Sequence, residues 1–237
     1  MRKRSACLLV FLIIAASAFC QDADVESWFK ADPRAKAYMD SKADVLLIFG
    51  EAQAAELPMW VLMDKLREGA SKGVSPDRLT AGLQSEAARL SAAKAVLARG
   101  KVDIAERREY EEALRDMSIA LLAGIGGDTI ESLFAGIRMS SRTYRDVLAA
   151  CAALIQMKNS SRLSEKELRR LGETLLSSKL PSSSFASIPS FFVKARASGL
   201  RESEILDSIV VKALETGGGF VRMEELLRIR QKGRQGP

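Results

Sequence analysis

The chain has 237 residues, 47% of them hydrophobic, with 36 Lys+Arg against 30 Asp+Glu and a formal net charge of +6. It contains no histidine, which excludes Ser-His-Asp and Cys-His catalysis, His-ligated zinc and the Glu-x-x-His di-metal sites of helical bundles. Its three cysteines are too few and too poorly placed for a disulfide scaffold.

Arg2, Lys3 and Arg4 open the chain, and an uncharged apolar run follows from Ala6 to Phe19. That run is short for a bilayer core, which takes roughly 20 helical residues. It ends in Ala15-Ala16-Ser17-Ala18 and turns polar at Gln21-Asp22. This pattern predicts a secretory signal peptide over residues 1–20. Ala18 and Cys20 suit cleavage before Gln21, and Ala16-Ser17-Ala18 offers a second site. Ser17-Ala18-Phe19-Cys20 also has the outline of a lipoprotein box with Cys20 as the acylated residue, although Phe19 is bulky for the position before it. Removing the three basic residues of the leader leaves 33 Lys+Arg against 30 Asp+Glu, a net charge of +3. So mild and even a charge does not predict nucleic-acid binding.

Beyond the leader the sequence predicts an all-α fold, an array of antiparallel helical hairpins that forms an irregular α-solenoid or bundle. Two regions are expected, 21–100 and 101–237, the second either separate from the first or continuous with it. Asp32-Pro33 and Leu57-Pro58 look like helix starts, and Val45 to Phe49 reads as helix within Ala-rich flanks. Met59 and Trp60, just after Pro58, are core candidates; left exposed, they would form a partner-binding patch. Ser75-Pro76 caps a long helix whose apolar face is Leu79, Leu83, Ala87, Leu90 and Leu97. Gly73-Val74, Gly124-Ile125 and Gly199-Leu200 share one pattern, a glycine closing a helix and an apolar residue packing back on it. Arg162-Leu163-Ser164 looks like a copy without its glycine, and Ser164-Glu165-Lys166-Glu167 is a capping box. The run Ser177–Ser190, with two prolines and seven serines, is the better hinge candidate, though an ordinary loop is favoured. Gly217-Gly218-Gly219 would free the last helix, though an ordinary connecting loop is favoured there too, and Arg228–Pro237 forms a basic tail with no acid.

The segment Lys65-Leu66-Arg67-Glu68-Gly69-Ala70-Ser71-Lys72-Gly73-Val74-Ser75-Pro76-Asp77-Arg78-Leu79 resembles one found in uncharacterised exported bacterial helical proteins. The likeness spans residues 57–97. It implies a helix-turn-helix and an exported compartment, and no catalytic residue comes with it.

Motifs for chemistry are weak. Ser91-Ala92-Ala93-Lys94 and Ser27-Trp28-Phe29-Lys30 both match a serine–lysine motif, but neither has the partner strands that such enzymes need. Gly124-Ile125-Gly126-Gly127 lacks the strand of a dinucleotide loop. Cys151 sits on the apolar face of a helix and reads as core filler. Asp103, Glu106, Glu109, Glu111, Glu112 and Asp116 share one helix with Arg107, Arg108 and Arg115, which reads as a salt-bridged surface, including a Glu111–Arg115 pair. The leading expectation is an exported, non-enzymatic envelope protein that binds another envelope protein or the membrane surface. It assigns no catalytic, metal or cofactor-binding residue and expects no cofactor. The alternatives are a glycan hydrolase using Glu106, Glu109 and Glu112, or a structural lipoprotein tethered through Cys20.

Overall fold

The computed structural model describes residues 25–138 and 140–234, the last without its side chain. The leader, with Cys7 and Cys20, lies outside the described residues, as does the end of the basic tail. The described chain is all-α, with no β-strand among the described residues. It divides into two compact units between Ala92 and Ala93.

The first unit holds α1 (25–31), a 3-10 segment Pro33–Ser41, α2 (Lys42–Ala54), α3 (Met59–Ser71) and the first part of α4 (Pro76–Gly100). Asp32 starts the 3-10 segment: its carboxylate accepts from the Arg34 backbone N–H at 2.9 Å, and Pro33 takes the first position, where a missing N–H costs nothing. Val45, Ile48 and Phe49 place the inner face of α2 in the core, and Leu62 and Leu66 do the same for α3. Trp28, Phe29 and Tyr38 form an aromatic corner, with Trp28 and Phe29 edge-on at 4.9 Å between centroids. From that corner the Tyr38 hydroxyl donates to the Val74 carbonyl at 2.8 Å. This bond fixes the α3–α4 turn to residues 36 positions earlier in the chain.

The second unit holds the end of α4, α5 (Arg107–Leu122), α6 (Gly127–Ile137), α7 (Tyr144–Ser160) and α8 (Glu165–Ser177). A short 3-10 turn, Ser182–Ser184, leads to α9 (Ser187–Ala197). Next come α10 (Glu202–Ile205), a π-helical stretch Leu206–Val211, α11 (Lys212–Glu215) and α12 (Gly219–Arg234). Leu133, Phe134, Leu154, Leu171, Phe185 and Phe192 are fully buried here. Gly172 lets α8 approach closely, because a Cβ there would meet Leu133 at 2.8 Å and Leu154 at 3.1 Å.

Several helix ends share one chemistry. Gly73, Gly124 and Gly199 have φ of +62°, +81° and +79°, the left-handed geometry read from the sequence. After the first two, the next N–H closes the turn, Val74 onto Gly69 and Ile125 onto Ala120. Two further closures lack glycine. Glu56 and Lys101 stand at φ +53° and +52°, followed by Leu57 N–H onto Ala52 and Val102 N–H onto Leu97. The supposed copy at Arg162 is a correction: Ser161 is extended, no residue of that turn is left-handed, and Ser164 opens α8 with its capping box to Glu167.

Two stretches weighed as hinges fit the loop reading favoured for them. The serine-rich stretch lies within the second unit, where Phe185 and Ile188 are buried. The glycine triplet does not free α12, whose Met223 and Leu227 are buried.

Candidate functional site

The acidic face of α5 is tied up in ion pairs. Arg107 donates to Glu111 at 2.9 Å, Arg108 to Glu112 at 3.2 Å and Arg115 to Asp116 at 2.8 Å. Glu109 accepts from the Tyr144 hydroxyl at 2.7 Å and pairs with Arg145. The Tyr144 hydrogen bond is the main reason that its carboxyl is held below the ordinary glutamate value; partial burial opposes it and Arg145 adds to it. A general acid for glycoside cleavage needs the opposite shift, upward, from a shielded site. Glu106 is exposed at the start of α5. The structure therefore brings Glu109 to two partners and gathers no paired-carboxylate cleft from Glu106, Glu109 and Glu112.

Cys151 is 2% exposed within α7, and burial pushes its thiol up to about 12. A thiol so placed stays protonated and unreactive at neutral pH. Met59 and Trp60 open α3 and are half-buried. Gly124 to Gly127 form the α5–α6 turn, where the Glu165 carboxylate accepts from Gly126 N–H at 2.9 Å and Thr129 Oγ1 at 2.7 Å. No group of His, Cys, Asp and Glu among the described residues is placed to hold a metal ion, and no described helix is long and apolar enough to cross a membrane.

Four clefts on the surface of the described residues are large enough to consider. One of about 550 Å³ between α6 and α8 is lined by Arg170, Glu173, Ser132 and Glu215; Arg170 pairs with Asp207 at 2.7 Å and Glu173 accepts from the Ser132 hydroxyl, so the cleft offers no surplus of positive charge. One of about 510 Å³ beside Trp28 holds the Asp32–Arg34 pair, in which the hydrogen bonds from Arg34 keep Asp32 far below the ordinary carboxylate range. One of about 460 Å³ between α2 and α4 is lined mainly by alanines.

The fourth, about 290 Å³, lies in the α3–α4 hairpin and differs in charge. Lys65, Glu68 and Lys72 share one face of α3 at spacings of three and four. Arg78 faces them from the first turn of α4, and Gly69, Val74, Leu79 and Gly82 line the rest. Glu68 bridges the two lysines, 3.3 Å from Lys65 and in closer contact with Lys72. Hydrogen bonds from Lys72 and then Lys65 hold its carboxyl below the ordinary value, so it is ionised. Three cations thus line the cleft against one anion, and Arg78 pairs with no acid among the described residues. A Cβ on Gly69 would overlap the buried Leu79 side chain, so glycine there permits the close approach of α3 and α4. Gly82 is the reverse case, since a Cβ on it would meet nothing within 4 Å.

Sequence reading singled out this segment as a helix-turn-helix and missed the cleft. The signal was present in Gly82, a glycine inside a long helix that costs stability without a packing reason. Arg78 needed the fold, because only the closed hairpin brings it opposite Lys65 and Lys72.

Comparison with known proteins returned no match to a family model, to a curated protein or to a solved structure.

Proposed function

We propose that the chain is an exported, non-enzymatic helical protein of the bacterial envelope, built as an array of antiparallel hairpins and binding a partner protein or the membrane surface. The leader pattern over residues 1–20 motivates the export. The left-handed closures at Glu56, Gly73 and Gly124, each joining one helix to the next, support the hairpin arrangement. One observation carries the binding reading: Glu109, Glu111 and Glu112 on α5 are engaged in ion pairs and a tyrosine bond, while surplus charge is left in a surface cleft. Carboxylates held in ion pairs suit recognition better than proton transfer. The pairing of Glu109 and Glu112 counts against a hydrolase using Glu106, Glu109 and Glu112.

Cell fractionation with mild crosslinking in intact cells tests the reading. The expected result is a mature chain beginning near Gln21 in the exported fraction, crosslinked to one reproducible partner or sedimenting with membranes. A chain still beginning at Met1 and recovered alone from the cytoplasm would overturn it. The mass of the mature N-terminus also decides whether Cys20 is acylated or removed.

A further inference from the structure

Resting on the binding-protein reading above, we propose that the α3–α4 cleft binds a phosphate group, on a small phosphate ester or on a lipid headgroup. Three independent features of the cleft converge on this chemistry. The first is charge: Lys65, Lys72 and Arg78 against Glu68 leave an excess of two positive charges around a small volume, which matches a phosphate monoester dianion. The second is geometry. Lys65 and Lys72 already converge on one carboxylate, which shows that their ammonium groups can reach a common anion. Arg78 stands opposite with its guanidinium unspent, and its planar fork suits two phosphate oxygens at once. The third is the floor. Gly82 keeps the cleft open at a helical position where alanine would be more stable, and no atom of the chain uses that space.

The volume of about 290 Å³ limits what enters. It is at the small end of ligand sites, enough for a phosphate with a glycerol-sized substituent. Glu68 then has a second role. It occupies the lysine pair when the site is empty, so a phosphate must compete with it for those two ammonium groups. Removing its charge should strengthen binding, whereas removing Arg78 should weaken it. A cleft that served only to hold the hairpin together would give neither response.

The test is a titration of the ¹⁵N-labelled protein, as recovered from cells, with glycerol 3-phosphate, using glycerol as the neutral control. Saturable movement of the Lys72, Gly73, Arg78 and Gly82 amides is expected with the phosphate alone. Arg78→Gln should weaken binding by about tenfold, as for loss of a charge-assisted pair. Glu68→Gln should tighten it by about threefold, and Lys212→Gln, an exposed cation in the second unit, should change it less than about twofold. Thermal unfolding of each variant confirms that it is folded. A parallel sedimentation assay compares vesicles of phosphatidic acid, whose headgroup is a phosphate monoester, in phosphatidylcholine with phosphatidylcholine alone. Vesicle binding that Arg78→Gln abolishes assigns the phosphate to a lipid headgroup; binding of glycerol 3-phosphate without vesicle association assigns it to a soluble ester. No saturable shift up to about 20 mM, or equal losses in Arg78→Gln and Lys212→Gln, would overturn the proposal. If the cleft is silent while a crosslinked partner is still recovered, the binding-protein reading stands and the phosphate assignment alone falls.

Discussion

In the second unit, four basic side chains donate to carbonyls at the ends of other helices. Arg138 reaches the Arg99 and Gly100 carbonyls closing α4, and Lys158 reaches Gly124 after α5. Arg196 caps α7 through Ser160 at 2.7 Å, and Arg142 takes Leu176 at 3.2 Å with Ser178 and Leu180 at 2.7 Å beyond α8. These carbonyls have no partner within their own helices, and a cation placed on them also meets the negative end of the helix dipole. In the first unit, backbone N–H groups close α2 and α3, Leu57 onto Ala52 and Val74 onto Gly69, and the Tyr38 hydroxyl rather than a cation bonds the α3–α4 turn. The cations of its hairpin cleft meet one carboxylate or, for Arg78, none among the described residues. The contrast separates charge that holds the fold together from charge that the fold leaves available. Basic residues are frequent in both units, and only their partners tell the two uses apart.

Substitutions should widen this contrast. The largest effect is expected for Arg142→Ala. Its side chain is 15% exposed, and its loss leaves three carbonyls without their donor and takes one of several partners from Asp146. Chemical denaturation should show a loss of about 3 kcal/mol. Gly69→Ala comes next, at about 1–3 kcal/mol, because the new methyl must displace Leu79 from a filled core.

Acid titration should then show the caps of the second unit failing. Partial burial would raise the Glu165 carboxyl, but hydrogen bonds from Thr129 and Gly126 outweigh it and hold the group below its ordinary 4.5. A depressed carboxyl contributes stability above its unfolded value and loses it as pH falls through the folded one. The stability difference between wild type and Glu165→Gln should therefore be present at neutral pH, begin to shrink below 4.5 and vanish at lower pH. A difference independent of pH across that range would contradict the cap. The smallest effect has the opposite sign. Glu56→Gly relieves a left-handed non-glycine residue and should stabilise by about 0.5–1 kcal/mol.

Local signals were legible in the sequence where the chemistry was local. Gly73, Gly124 and Gly199 could be read as left-handed closures because glycine favours that geometry. Glu56 and Lys101 could not, because nothing in their side chains marks a positive φ. The serine-rich stretch left a hinge open beside the favoured loop because the residue that holds it, Arg142, is 36 positions away from Ser178. The π-helical stretch at Leu206–Val211 was hidden for a different reason. Ile205, Ile209 and Ala213 keep an α-like spacing, while the wider turn lets Leu206, Val210 and Val211 be buried as well. For the cleft, one wall was legible as Lys65, Glu68 and Lys72 at helical spacing. The opposing wall at Arg78 was a consequence of closing the hairpin.

The most direct test of the distinction between structural and available charge is a matched pair, Gly82→Ala and Gly50→Ala, each measured for stability and for glycerol 3-phosphate binding. Both glycines lie inside helices where a Cβ meets nothing, but only Gly82 lines the cleft. Both variants should gain about 0.5–1 kcal/mol in denaturation, and only Gly82→Ala should lose affinity for the phosphate. Equal affinity in the two variants would contradict the account, because Gly82 would then be an open helix position with no ligand above it.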